Sequence, residues 1–465
     1  MPKTAAAATN RYIYYGGRLN RLPSSLLGGL VAPLHLPVLR GVLAGILTEV
    51  FRPPRPPELL DESVADFFAR RMGGPRLAQN VLSAVLHGIY AGDVHRLSAK
   101  TLFPQLWRGE ALHGSLAATH ARARPRPVRD VLLQDELATD NASLVRSMCG
   151  ASVFGFRGGI ETLSRALVAD LAAGSLPVVA AGATLRTNTL VRAIKYTPGS
   201  DTPFELDDGS RHSHIISTLR APATSALLPP HLRIPALARI AAVSVGVVNL
   251  YFASPPARLL PVHGFGYLLP QSLPTAENPH AALGVLFDSC MASAAQAGDS
   301  EPGTKLTVML GGHHWDSRPG RSAAEGGAYL PWPTADQAVE MARETLRLHL
   351  GVLEPPLVTN VALNRDCIPQ YTVGHDARLA AIRAALRREG GRFGGRLRLA
   401  GPSYKGVGLH DCIRSAREAV TGLVRGDADG GGVGGTGLEG VGDDLKWAMT
   451  VKLPDGGGRG YVITQ

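Results

Sequence analysis

The stretch Ala400-Gly-Pro-Ser-Tyr-Lys-Gly-Val-Gly-Leu-His-Asp-Cys-Ile-Arg-Ser-Ala-Arg-Glu-Ala419 decides how this chain is interpreted. Its pattern predicts a short strand, a turn through Gly406 and Gly408, and a helix from about Leu409 to Leu423. Glycine lets the backbone approach a ligand because it has no Cβ. The free N–H groups and positive dipole end of the helix suit a phosphate or an anionic cofactor ring. The spacing alone is equally compatible with an ordinary strand–turn–helix, since glycine-rich turns are a weak signal.

This segment resembles the C-terminal flavin-contacting motif of the protoporphyrinogen oxidase family. Further blocks resemble the same family and follow in its order, from residue 11 to about residue 425. These blocks are Arg11-Tyr-Ile-Tyr-Tyr-Gly-Gly-Arg-Leu-Asn-Arg-Leu-Pro23, Gly88-Ile-Tyr-Ala-Gly-Asp93, Phe103-Pro-Gln-Leu-Trp107, Phe156-Arg-Gly-Gly-Ile-Glu161, Val243-Ser-Val-Gly-Val-Val-Asn249, Gly264-Phe-Gly-Tyr-Leu-Leu-Pro270, Val308-Met-Leu-Gly-Gly312 and Asp366-Cys-Ile-Pro-Gln-Tyr371. One block would be weak evidence, whereas this many in the family's order are strong.

The resemblance implies an α/β flavoprotein, α+β in its substrate domain, with a discontinuous FAD domain. Family members open with a strand, a GxGxxG turn and a helix that bind the FAD pyrophosphate. This sequence enters the family pattern at Arg11, so we expect the first βαβ unit, on the order of 30 residues, to be missing. The match Gly430-Gly-Gly-Val-Gly-Gly435 is discounted, because no strand precedes it and no helix follows it.

The domain organisation follows from the change of pattern along the chain. Strands and helices alternate after Val153, with a helix from Ile160 to about Ala173 and a strand at Thr184–Tyr196, as in α/β folds. A β-branched strand at Arg239–Phe252 and an amphipathic helix at Thr334–Leu350 mark a second unit. The predicted parts are a helical membrane-binding region with the substrate-cleft entry (11–125), a first FAD-domain segment (150–220), a mixed-sheet substrate domain (221–355), a C-terminal FAD-domain segment (356–425), a glycine-rich flexible segment (426–445) and a tail (446–465).

Composition limits the partners. The net charge is +10, and residues 1–130 carry 17 Lys and Arg against 8 Asp and Glu. Such an excess suits nucleic acid or an anionic membrane surface. No nucleic-acid motif is visible and only 6% of residues are aromatic, so we expect no nucleic-acid partner.

An uncharged segment at residues 22–39 continues into an apolar run at 41–47. Pro23, Pro33 and Pro37 argue against one continuous spanning helix. Short helices lying in one leaflet fit better, and a buried helical hairpin is the alternative. The basic flank favours a membrane surface. No targeting segment is convincing at the start of the chain, and the resemblance implies a peripheral protein of the mitochondrial inner membrane.

No metal site or disulfide framework is expected. Cys149, Cys290, Cys367 and Cys412 are far apart, so buried free thiols in a reducing compartment are the simpler interpretation. The pair His313-His314 with Asp316 resembles a metal patch, but no further ligand occurs at a useful spacing in the sequence.

The resemblance implies six substrate-binding positions and no catalytic nucleophile. Arg11 matches an arginine suited to a bidentate pair with a propionate of the substrate. Gly88 falls where the family packs the pocket floor tightly. Phe265, Gly266 and Leu268 lie in the block of one cleft strand and Met309 in the facing strand, where aromatic and soft aliphatic side chains suit a tetrapyrrole.

The resemblance also implies five FAD-binding positions. Gly406, Val407, Gly408 and Leu409 offer N–H groups and a helix dipole that stabilise negative charge on the reduced ring. Val191 matches a valine that similar flavoenzymes place against the adenine side.

The implied activity is the oxidation of protoporphyrinogen IX to protoporphyrin IX by FAD, with molecular oxygen as acceptor, in haem synthesis. A non-catalytic, flavin-free remnant that keeps the tetrapyrrole cleft and membrane face is the alternative. A carotenoid desaturase of the amine-oxidase-like group is a third interpretation, against which the Gly264 and Asp366 blocks count. We expect the chain as written to be poorly soluble and flavin-free, because loss of a leading βαβ unit exposes a sheet edge. A homodimer is expected from the family's habit alone.

Overall fold

The computed structural model describes most of the chain. The described residues are 2–24, 32, 35–121, 126–156, 158–173, 183–291, 302–315, 330–387, 391–428, 435–439, 447–452 and 459–464. Asp316 is not among the described residues. The GxGxxG match at 430–435 and the uncharged segment 22–39 are only partly among them.

A seven-stranded mixed sheet forms the main body of the protein, in the order β12-β8-β11-β10-β9-β1-β2. Its strands are β1 (Arg11–Tyr14), β2 (Leu19–Arg21), β8 (Ala242–Phe252), β9 (Gly266–Leu268), β10 (Ala282–Leu286), β11 (Thr304–Gly312) and β12 (Val358–Pro369). The pair β1–β9 is parallel and the other neighbours are antiparallel. Because side chains alternate along a strand, the sheet has two different faces.

The smaller strands belong to three further sheets. They are β3 (Arg126–Pro127), β4 (Ile194–Tyr196), β5 (Phe204–Leu206), β6 (Arg211–His212), β7 (Ile215–Ser217), β13 (Leu397–Leu399), β14 (Trp447–Lys452) and β15 (Arg459–Thr464). The parallel pair β13–β7 leads directly into the glycine segment at residue 401. Strand β14, in the tail, pairs with both β15 and β3.

The α-helices are α1 (Ala6–Thr9), α2 (Val42–Thr48), α3 (Val64–Met72), α4 (Ser83–Tyr90), α5 (Ala99–Leu102), α6 (Pro104–His113), α7 (Leu116–Ala121), α8 (Val128–Asp140), α9 (Ala142–Cys149), α10 (Glu161–Ala173), α11 (Ala221–Leu227), α12 (Pro235–Ala238), α13 (Pro256–Leu259), α14 (Asp288–Met291), α15 (Ala335–Leu350), α16 (His375–Leu386) and α17 (Leu409–Ala428). A π-helical turn, Ala78–Leu82, precedes α4. Short 3-10 turns occur at Pro37–Leu39, Glu49–Phe51, Pro230–Leu232 and His313–Trp315.

Helix α15 covers one face of the large sheet. Thr334 caps it with a complete capping box to Gln337, as its sequence predicts. Its residues Ala338, Ala342 and Leu346 are buried against the apolar side chains of β8, β10 and β11. Helix α4 and the residues of the predicted substrate cleft therefore lie on the opposite face of the sheet.

The second lobe has its own core. Buried side chains of β13, α16 and the segment after β13 pack together, including Leu379, Leu399 and Tyr404. The strand predicted at Thr184–Tyr196 is regular only at Ile194–Tyr196, where it pairs with β5. Residues 183–193 form no regular strand, because among the described residues no neighbouring strand pairs with them.

Two features differ from the predicted pattern. Strand β12 lies beyond residue 355, where the FAD-domain segment was predicted to resume, yet it pairs with β8 along the edge of the large sheet. The apolar stripe of α17, formed by Leu409, Ile413, Ala416 and Val420, is exposed. The helix instead packs through Ser415 and Ala419, whose small side chains let it approach residues 399–401.

Candidate functional site

Three predicted substrate residues meet at one end of the large sheet. Parallel pairing of β1 with β9 sets Arg11 opposite Gly266. The Arg11 guanidinium lies 5.9 Å from the centre of the Phe265 ring, within the range of a cation–π contact. Arg11 is exposed and Phe265 is half-buried, so a cation and an aromatic surface face the same opening.

The other three predicted substrate residues line the sheet face opposite α15. Leu268 and Met309 both pair across Gly284, on strands that flank β10. Gly88 lies on α4 directly above Leu268, because a Cβ added to Gly88 would come 3.0 Å from the Leu268 Cδ2 atom. Gly88 is exposed, and Leu268 and Met309 are half-buried, which leaves an open apolar floor. The six positions thus form two groups on the large sheet, although they come from four separate stretches of chain. Arg11, Phe265 and Gly266 lie at the start of β1 and β9, and Gly88, Leu268 and Met309 lie on the face under α4.

The predicted flavin motif forms the N-terminus of α17. Gly406 has a φ of +140°, and a Cβ there would collide with the Asp411 side chain, so glycine is required. Gly408 and Leu409 are exposed and Val407 is half-buried. The first N–H groups of α17 therefore face solvent at its positive end.

Two tyrosines join the cleft to this motif, and the sequence analysis missed both. The Gly406 N–H donates to the Tyr371 hydroxyl at 2.8 Å, and this hydroxyl donates to the Pro402 carbonyl at 2.5 Å. The Tyr371 ring lies 5.6 Å from the Tyr90 ring in an edge-to-face contact. Tyr90 ends α4, two residues after Gly88. The family blocks contained both tyrosines, but their sequence separation hid the contact.

Burial keeps both phenols neutral. Burial and, to a smaller extent, the Asp411 carboxylate raise the pKa of Tyr90 to about 12. Burial also raises the pKa of Tyr371 well above its usual range. Tyr371 therefore acts as a hydrogen-bonding link at neutral pH, without a negative charge.

The fifth predicted flavin residue, Val191, is separate in sequence from the glycine motif but belongs to the same lobe. It is half-buried against the core that also contains Leu399 and Tyr404. Leu399 leads into the glycine segment, so this core connects Val191 to the motif.

A separate cavity of about 480 Å³ opens between the large sheet and the second lobe. None of the predicted substrate or flavin residues lines this cavity. Its wall includes Val243 at the start of β8, Ser403 ahead of the glycine motif, and the ion pair of Arg220 with Asp366 at 3.3 Å. This cavity therefore lies between the edge of the large sheet and the segment that carries the predicted flavin motif.

These features define the class of protein. The chain matches the family described as flavin containing amine oxidoreductase over residues 4–424, and it belongs to that family. The predicted α/β flavoprotein fold and FAD cofactor are thereby confirmed. The described residues fit a flavin, since Gly408 and Leu409 leave the N-terminus of α17 exposed and the backbone at Gly406 needs a glycine.

Comparison with curated relatives shows which enzymes within this family the chain is similar to. The chain is 32% identical to a protoporphyrinogen oxidase of Schizosaccharomyces pombe over 426 residues, which cover 90% of this chain and 79% of the relative. It is 34% identical to the human protoporphyrinogen oxidase over 427 residues, covering 90% and 80%. The resemblance found in the sequence is confirmed by these relatives.

Solved structures agree on the fold. A candidate protoporphyrinogen oxidase from Exiguobacterium sp. 255-15 has a TM-score of 0.63 at 21% identity, covering 89% of this chain and 80% of that chain. A UDP-galactopyranose mutase has a TM-score of 0.54 at 14% identity, covering 90% and 78%.

Proposed function

We propose that this protein oxidises protoporphyrinogen IX to protoporphyrin IX in haem biosynthesis, with FAD as cofactor. Two curated protoporphyrinogen oxidases at 32% and 34% identity over 90% of the chain support this activity. The single structural observation that carries the proposal is the apolar sheet face of Leu268 and Met309 under Gly88, with Arg11 and Phe265 in contact at the start of β1 and β9.

The protein's own residues bind and orient the substrate. Arg11 pairs with a propionate, since a guanidinium and a carboxylate form a bidentate, charge-assisted contact. The ring of Phe265 and the side chains of Leu268 and Met309 contact the tetrapyrrole face. Bound FAD supplies the redox chemistry, and the N–H groups at the start of α17 stabilise negative charge beside it. Molecular oxygen is the proposed final acceptor.

The activity is tested on the purified full-length chain. FAD content is measured first, and formation of protoporphyrin is then followed by its fluorescence with and without oxygen. Stoichiometric FAD and oxygen-dependent turnover support the proposal. A folded protein without FAD that still binds a porphyrin supports the non-catalytic alternative. Turnover with another acceptor but not with oxygen removes oxygen from the proposal.

Membrane attachment is a second part of the proposal. Among the described residues, no helix is long and apolar enough to cross a membrane. Helix α2 and the turn Glu49–Phe51 nevertheless expose a group of apolar side chains, and the exposed Arg40 and half-buried Arg52 flank them in the sequence. The exposed side chains are Ile46, Leu47, Val50, Phe51 and Leu60. This arrangement suits a peripheral helix whose apolar side enters one leaflet.

Flotation with anionic vesicles tests this attachment. Phe51, at 84% exposed, is changed to Asp, and Leu353, at 77% exposed just beyond the C-terminal end of α15, is changed to Asp as the matched control. We expect Phe51→Asp to lose vesicle binding with its melting temperature unchanged, and Leu353→Asp to bind normally. Equal binding by both variants would remove this surface from the proposal.

The resemblance further suggests the mitochondrial inner membrane as location and a homodimer as the assembly. Fractionation of the source cells tests the first, and light scattering on the purified protein tests the second.

A further inference from the structure

Three histidines lie together beside the floor of the predicted cleft. His87 is on α4, next to Gly88, and His313 and His314 form the turn that follows β11. The Nε2 atoms of His87 and His313 are 3.0 Å apart, and one ring nitrogen from each of the three lies within 4.8 Å of the others. His87 and His313 are buried and His314 is half-buried.

The hydrogen bonds around His87 fix which of its nitrogens carries the proton. Its Nδ1 lies 2.6 Å from the carbonyl oxygen of Leu269. A carbonyl can only accept, so Nδ1 is the donor and Nε2 of the neutral ring carries a lone pair. The lone pair of Nε2 points at His313.

The Gln271 amide lies beside His313 in a fixed orientation. Its Oε1 atom accepts from the Val94 N–H at 3.0 Å, and its Nε2 donates to the Asp93 carboxylate at 3.0 Å. The same amide nitrogen lies 3.2 Å from Nε2 of His313. The single lone pair of this His313 nitrogen can face either the amide or an ion shared with His87, but not both.

The Nε2 atoms of His87 and His313 thus face each other at 3.0 Å, with a third imidazole beside them. A cation between these rings would accept lone pairs from more than one of them. We propose that His87, His313 and His314 bind a divalent transition-metal ion, with Zn²⁺ as the expected occupant.

The chemistry of the donors favours zinc. Neutral imidazoles are good ligands for zinc and copper, and a three-histidine set leaves a fourth position for water. Zn–N bonds of about 2.0–2.1 Å in a tetrahedral site separate the ligand nitrogens by about 3.3 Å. His87 and His313 need to part slightly, and His314 needs to turn inward. The bond from His87 Nδ1 to the Leu269 carbonyl is the orienting contact that metal-bound histidines usually have.

The fold brings together candidate ligands that lie far apart in the sequence. The analysis of His313-His314 predicts no metal site because no further ligand lies at a useful spacing, whereas His87 is 226 residues away along the chain. The ion joins α4 to the end of β11 and so holds the helix that carries Gly88 against the sheet. Its role is to stabilise the cleft floor, and it is independent of the redox reaction.

Zinc binding is measured on the full-length protein after removal of metal with a chelator. Equilibrium dialysis against Zn²⁺ alone is expected to give one ion per chain, and Zn²⁺ is expected to raise the melting temperature. X-ray absorption at the zinc edge is expected to show imidazole nitrogen scattering. Less than a tenth of an ion per chain at micromolar free Zn²⁺ overturns the proposal.

Variants assign the site. His314→Gln is the least disruptive change, because His314 is half-buried, and it is expected to abolish the zinc-dependent rise in melting temperature. The control is His231→Gln, an exposed histidine of the other lobe, which is expected to bind zinc like the wild type. Undiminished binding by folded His314→Gln and His87→Gln overturns the assignment.

Discussion

At the scale of single residues, Arg11 is an exposed cation at the start of β1, which pairs with the strand that carries Leu268. Arg11→Ala is expected to raise KM about 10–100-fold, the equivalent of one charge-assisted hydrogen bond of about 1.5–3 kcal/mol. The change in kcat is expected to be small, because a propionate contact is equally strong in the ground and transition states. Steady-state kinetics measure both constants. Arg21→Ala, an exposed arginine on β2, is the control, and an unchanged KM in Arg11→Ala would remove Arg11 from the site.

Gly88 gives a second prediction at this scale. A Cβ at this position would lie 3.0 Å from Leu268 Cδ2, so in Gly88→Ala the leucine side chain must give way by a few tenths of an ångström. The expected result is a raised KM with little change in stability, because a helix-propensity gain of about 0.5–1 kcal/mol offsets the tighter contact. Adding Leu268→Ala is expected to restore KM partly, which a double-mutant cycle measures. Gly74→Ala, with open space around the glycine, is the control. Additive effects of the two cleft changes would contradict the contact.

At the scale of elements, local pattern predicted the pieces well. The capped helix at Ala335–Leu350, the hairpin of β1 with β2 and the long strand β8 all follow from caps, turns and β-branched runs, which act within a few residues. The strand predicted over Thr184–Tyr196 is regular only at its end, because strand formation needs a partner that local pattern does not supply.

Contacts across the chain account for what the sequence could not predict. The apolar stripe of α17 indicated a packing face, yet the helix packs through Ser415 and Ala419, where the backbone of the neighbouring segment comes close. The pairing of His87 with His313 and the bond from Gly406 to Tyr371 are likewise products of tertiary structure. The family resemblance supplied the six cleft positions, and the sheet explains why they lie together.

A buried ion cluster organises the helical region. Glu110 is fully buried and lies 3.0 Å from Arg55 and 2.6 Å from Arg70, while the equally buried Arg71 pairs with Glu49 and contacts Glu110. These bonds hold α3, α6 and the turn at Glu49–Phe51 together. Glu110→Gln removes the paired carboxylate of Arg55, whereas Arg70 keeps Glu62 and Arg71 keeps Glu49. Because a buried charge of the cluster is lost, the change is expected to cost about 3–5 kcal/mol of folding stability.

Chemical denaturation measures that loss. Glu340→Gln, which removes an exposed pair with Arg343 on α15, is the control and is expected to cost about 0–1 kcal/mol. A stability loss of similar size in the two variants would show that the Glu110 charge does not organise the region.

The same cluster predicts a pH dependence. Burial alone would raise the pKa of Glu110, but its hydrogen bonds and charge contacts with Arg70, Arg55 and Arg71 outweigh burial and lower it. A carboxyl group with a lowered pKa stabilises the fold above its unfolded pKa of 4.5, and this contribution is lost as the pH falls through the folded pKa. Thermal melts of wild type and Glu110→Gln are therefore expected to converge as the pH falls below 4.5. A constant difference in melting temperature between pH 7 and pH 3 would contradict this.

At the scale of the whole molecule, one short path joins the cleft to the flavin motif. It begins on α4 at Gly88, passes from Tyr90 to Tyr371, and ends at the Gly406 N–H ahead of α17. The neutral side chains of Tyr90 and Tyr371 thus form one of the contacts between the large sheet and the second lobe. The proposed substrate and cofactor positions lie in different lobes, so this contact influences the distance between them.

Tyr371→Phe tests the path. The change leaves the buried Gly406 N–H without its acceptor, at a cost of about 1–3 kcal/mol, while the ring and its contact with Tyr90 remain. FAD affinity, measured by flavin fluorescence on titration, is expected to fall about tenfold for each 1.4 kcal/mol lost at the motif. KM for the tetrapyrrole is expected to change little, because the cleft residues keep their places. Tyr251→Phe is the matched control, since the Tyr251 hydroxyl accepts from the Gly303 N–H at 3.3 Å on the far side of the sheet. An equal loss of FAD affinity in both variants would mean that general destabilisation, and not the bond to Gly406, is responsible.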